Sequence, residues 1–148
     1  MKYLFSYIVL LLALKSCENK NSSNKHENIS ALMNKIEIPR NNQLLIMLFN
    51  DFCDPCIEEI GFLIDYLDSI KINKRKTILF AKNTVYKNRD INKFEFYEIH
   101  REVVESVGLA ANVNYLVEFD ENGIVTNFWE LNKETIKEII SFYAQSKS

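Results

Sequence analysis

The sequence predicts an α/β fold, a central mixed sheet flanked by helices, and three observations carry that expectation. The run Leu44 to Phe49 is apolar without a break, as in a strand covered by helices on both faces. From Pro55 to about Ile70, the residues Cys56, Ile57, Ile60, Leu63, Ile64 and Leu67 fall on one helical stripe while Glu58, Glu59, Asp65 and Asp68 point away. Toward the end, Tyr115 to Phe119 and Ile124 to Trp129 flank Asp120, Glu121, Asn122 and Gly123, and Asn-Gly between two such runs marks a hairpin.

The remaining elements follow in order. Ile29, Leu32, Met33 and Ile36 have helical spacing within Ile29 to Ile38, a segment that Pro39 ends. Asn50 to Asp54 forms the loop between the first core strand and the helix after it. Lys71, Lys74, Arg75 and Lys76 make the densest basic group; cations at a helix end complement its dipole, so they cap that helix and line a turn. Thr77 to Ala81 reads as a second buried strand, and Asn83 to Lys93 is polar with no assignable element. Phe96, Ile99, Val103 and Val107 predict a further helix that Gly108 stops. Asn132 is suited to cap a last helix carrying Ile136, Ile139, Ile140 and Tyr143 on one face.

Met1 and Lys2 form a basic start, and Tyr3 to Leu14 is almost wholly apolar but short of the ~20 residues of a spanning helix, which is the pattern of a secretory signal peptide over residues 1–16. Leu14, Lys15, Ser16 and Cys17 resemble the bacterial lipobox, with Lys15 departing from its usual small or apolar residue. The resemblance implies lipid attachment at Cys17; the alternative is an ordinary secreted protein with a cysteine beside its cleavage site. Glu18 to Ser30 is polar and expected to be a flexible tether, so residues 17–40 read as anchor, tether and a possible short helix, and residues 41–148 as one domain. A net charge of −2 with dispersed basic residues gives no attraction to nucleic acid.

Cys53 and Cys56 enclose Asp54 and Pro55 at the start of the amphipathic helix, where unpaired backbone N–H groups and the positive end of the dipole favour a thiolate. Positions i and i+3 face the same way, and Pro55 loses nothing by lacking an N–H in a first helical turn. Cys53 is therefore expected to attack and Cys56, one turn deeper, to resolve. The same spacing also supplies half of many zinc sites or an inert structural disulfide, but no second half of a zinc site is present: His26 and His100 stand far apart. Asp51 and Asp54 either raise the thiolate's pKa as like charges or serve as caps and solvated loop charges. Glu58 and Glu59 read as surface acids of a first turn, with a proton-shuttle role as the sharper option.

The element order and the position of the cysteine pair resemble the thioredoxin fold over about Leu44 to Tyr143. The segment Phe49 to Ile60, with Glu58 and Glu59 after the second cysteine, and the closing segment Val117 to Val125 look like those of membrane-anchored thioredoxin-like proteins of bacterial envelopes. Three departures stand out. Asn114 or its neighbour occupies the place of the family's cis-proline, Phe52 replaces a tryptophan, and Met47 stands where thioredoxin has a buried acid. The resemblance implies a thiol-disulfide oxidoreductase, lipid-anchored in the envelope and facing the periplasm or the surface. Its partners would be proteins bearing disulfides or thiols, with a protein as electron donor or acceptor and the membrane reached through the anchor.

The site expected from sequence is thus Cys53 and Cys56 as catalytic residues, Asp54 and Pro55 as the active-site loop and Cys17 as the lipid attachment point, with no metal and no cofactor. Three unclustered glycines give no phosphate loop for a nucleotide. The alternative is a redox-impaired thioredoxin-like module that holds a metal or docks a partner protein. His26 reads as a solvated tether residue and His100 as a partly exposed or core residue.

Overall fold

The computed structural model describes residues 24–50, 54–81 and 92–145, without the side chains of residues 54–57. The signal peptide, Cys17, Cys53 and most of the unassigned 83–93 stretch lie outside the described residues. A helix at 24–35 (α1) is followed by β1 (Gln43–Leu48), α2 (Asp54–Ser69), β2 (Arg75–Ala81), β3 (Phe94–Ile99), α3 (Arg101–Glu105), β4 (Tyr115–Phe119), β5 (Val125–Glu130) and α4 (Lys133–Gln145). The strands make one five-stranded mixed sheet in the order β3-β2-β1-β4-β5. β1, β2 and β3 run parallel, and β4 runs antiparallel to both β1 and β5.

β1 is the central strand and every one of its residues is buried, which is why its sequence shows no alternation. Its even-numbered residues Leu44, Ile46 and Leu48 pack with Ile60, Leu63, Ile64 and Leu67 of α2 and with Ile136, Ile139 and Tyr143 of α4. The odd-numbered Leu45, Met47 and Phe49 pack on the other face with Ile29, Leu32 and Met33 of α1 and Val104 of α3. The three α1 residues are fully buried, each worth about 1.5–3 kcal/mol relative to exposure.

This burial corrects the expected tether. Residues 24–30 belong to α1, and the packed domain extends back to residue 24 rather than beginning at 41. His26 lies edge-on to Phe128 at 5.9 Å, on the helix and not in a solvated linker. α1 also ends before Pro39 acts: Glu37 takes a left-handed conformation (φ 57) and Ile38 N–H bonds Met33 O at 3.2 Å, closing the helix end.

A second correction concerns residues 94–99, expected as part of a helix and observed as the edge strand β3. The spacing of Phe96 and Ile99 fits a helix, but the aromatic Phe94, Phe96 and Tyr97 suit a strand and pair in register with β2, Phe96 against Ile78. Phe96 lies edge-on to Phe80, and helix begins only at Arg101.

Other expectations hold in detail. Asn132 caps α4, its Oδ1 accepting the N–H groups of Glu134 at 2.9 Å and Thr135 at 3.0 Å. Asp120 organises the β4–β5 turn through its Oδ1, which accepts from Asn122 N–H and Ile124 N–H, and Gly123 there has φ +75. Lys76 closes the far end of α2: its buried ammonium donates to Leu67 O and to Ile70 O, and burial, aided by repulsion from Lys93, lowers its pKa.

Candidate functional site

The carboxyl ends of β1, β2 and β3 meet on one side of the sheet, the usual place for sites in open α/β folds. β1 ends at Leu48, and after Phe49 and Asn50 the chain enters α2 at Asp54. Cys53 is thus the residue immediately before α2, and Cys56 the third residue within it. Asp54 and Pro55 are its first two residues, so the backbone starts a helix between the cysteines as their spacing predicts. The Cys53 position and the Cys56 sulfur lie outside the described residues.

The approach to the pair is held by Asn114, 5 % exposed and immediately before β4. Its Oδ1 accepts the N–H groups of Phe49 (2.8 Å) and Asn50 (2.9 Å), and its Nδ2 donates to Asn50 O (3.2 Å). Its own carbonyl accepts Leu131 N–H at 2.8 Å. Among the described residues no peptide bond is cis. A polar amide therefore occupies the place where the sequence comparison expects proline, and it touches the active-site approach through its side chain.

Arg101, at the start of α3, adds a second hold by donating to Phe49 O at 3.0 Å. Tyr115, next to Asn114, bonds Ala110 O, and burial followed by the charge of Glu130 raises its pKa. Met47 is fully buried among apolar neighbours, so the described strand carries no acid at that place. Of the two glutamates after the pair, Glu59 faces Lys133 of α4 at 3.3 Å and Glu58 is exposed. Together with Phe62, Ile136, Lys137 and Ile140 they line a groove of about 310 Å³ between α2 and α4, and Phe62 is 62 % exposed.

His26 and the exposed His100 do not converge on a common centre, and among the described residues no three metal-ligating side chains cluster. No helix of the described residues is long and apolar enough to cross a membrane. Sequence reasoning missed two features. Asn114 was visible only as a missing proline, because its partners are 64 and 65 residues away. Glu118, 4 % exposed in β4, accepts from Tyr143 Oη and from Asn127 Nδ2, and strand alternation alone gives no sign of it. No family model, curated protein or solved structure matches this chain.

Proposed function

We propose that this is a thioredoxin-like thiol-disulfide oxidoreductase that acts through Cys53 and Cys56. The observation that carries the reading is the start of α2 at Asp54, directly after Cys53 and two residues before Cys56, at the carboxyl end of the central parallel strand. A helix's first N–H groups lack intrahelical partners, and with its dipole they stabilise a thiolate there. The mixed sheet with α2 and α4 on one face and α1 and α3 on the other supports the thioredoxin-like assignment.

In the exchange, the Cys53 thiolate attacks one sulfur of a partner disulfide, forming a mixed disulfide and releasing a partner thiolate. The Cys56 thiolate then attacks the Cys53 sulfur, releases the second partner thiolate and leaves a Cys53–Cys56 disulfide. Two electrons have passed to the partner, and a protein dithiol restores the pair. Run backward, the same steps oxidise a dithiol. The amino-terminal pattern ending at Cys17 supports a lipid-anchored protein of the bacterial envelope, so the partners are envelope proteins.

Cys56→Ser removes the resolving sulfur and is expected to accumulate covalent adducts in the native envelope that dithiothreitol releases. The Cys53→Ser/Cys56→Ser protein should accumulate none. A Cys56→Ser protein that captures no partner overturns the reading.

A further inference from the structure

The β1–β4 ladder ends where Met47 pairs with Tyr115, yet β1 is carried further. The next residue of the β4 side, Asn114, continues the pairing with its side chain, satisfying Phe49 N–H, Asn50 N–H and Asn50 O in turn. A single amide thus does the work of the next step of the ladder. It is neutral, so it acts on the path of the chain and not through charge.

We propose that Asn114 is a positioning residue for the Cys53/Cys56 pair, fixing the backbone at Phe49 and Asn50 from which the segment to Cys53 departs. The inference rests on the exchange reading above. Cys53 is three residues beyond the held Asn50 and adjoins Asp54, the first residue of an α2 that is packed on the sheet through Ile60, Leu63 and Ile64. A segment that short between two fixed ends has few backbone paths. Releasing one end multiplies them, and a sulfur that leaves the first N–H groups of a helix loses their stabilisation of its thiolate.

The test is the pH dependence of Cys53 alkylation by iodoacetamide, followed on the Cys53 peptide of the full reduced chain. Asn114→Ala is expected to raise the alkylation midpoint by about one pH unit, a roughly tenfold loss of thiolate below the midpoint. Asn114→Asp keeps the shape and both accepted hydrogen bonds but loses the donor to Asn50 O and adds a like charge, so its midpoint also rises. A folded Asn114→Ala protein whose midpoint lies within about 0.2 units of the unaltered chain overturns the proposal; if that variant does not fold, the same criterion applies to Asn114→Asp. The unaltered chain is first equilibrated with glutathione. Absence of a Cys53–Cys56 disulfide there sinks the exchange reading and this inference with it, whereas a normal disulfide with unmoved midpoints sinks the positioning role alone.

Discussion

Two buried polar side chains stand four residues apart at strand β4 and are used in different ways. Asn114, neutral, serves the backbone of a neighbouring strand just past the end of its ladder. Glu118, an acid, lies opposite Leu44 at the beginning of β1 and serves two side chains, Tyr143 of α4 and Asn127 of β5. One directs where the chain goes; the other locks a helix and an edge strand to the sheet. A buried carboxylate is costly unless hydrogen-bonded, and both of its oxygens are. The end of the sheet that leads to the cysteines is thus held through backbone, and the opposite end through side chains.

The comparison breaks most visibly at Asn114. Asn114→Ala removes three hydrogen bonds to backbone groups that no rotamer change restores, at about 1 kcal/mol each, so about 3 kcal/mol of stability is expected to go. Urea unfolding measures it, and a loss under about 1 kcal/mol would mean that water replaces the amide.

The sequence made one of these ends partly legible and left the other dark. The unbroken apolar run of β1, the stripe on α2, the Asn122-Gly123 turn and the Asn132 cap are local patterns with local causes, and the elements formed where those patterns lie. β3 was misread because Phe96 and Ile99 satisfy helical spacing as well as a strand, and only pairing with β2 decides between them. The beginning of α1 was hidden because its polar residues from 24 to 28 resemble a tether, while its burial depends on a sheet far along the chain. Asn114 showed only as an absent proline, and Glu118 gave no sign, since each acts on residues remote in sequence. The cysteine spacing was readable from the start, and the backbone helix beginning at Asp54 agrees with it.

The side-chain lock should reveal itself through alkaline pH. Burial, and then the hydrogen bond to Glu118, holds the Tyr143 phenol well above its ordinary pKa, so the folded chain keeps a proton that an unfolded tyrosine releases near about 10. The folded state then binds more protons than the unfolded one, and stability present below pH ~10 is lost as pH rises beyond it. Tyr143→Phe is expected to cost about 1 kcal/mol at neutral pH and to flatten the decline above pH ~10 by roughly 1.4 kcal/mol per unit. Unfolding curves of both proteins across that range check it, and parallel declines would show that the phenol is not held.

The smallest effect expected is at Arg101, which shares Phe49 with Asn114. Asn114 takes the buried Phe49 N–H, whereas Arg101, itself exposed, donates to Phe49 O. Replacing the guanidinium leaves a carbonyl that water reaches from the side Arg101 occupied, and an acceptor with two lone pairs tolerates the loss of one donor better than a buried N–H tolerates the loss of its acceptor. Arg101→Met is therefore expected to cost under about 1 kcal/mol in urea unfolding. A loss equal to that of Asn114→Ala would place the hold on the approach to the cysteines in α3 as much as in β4, and the asymmetry between the two partners of Phe49 would disappear.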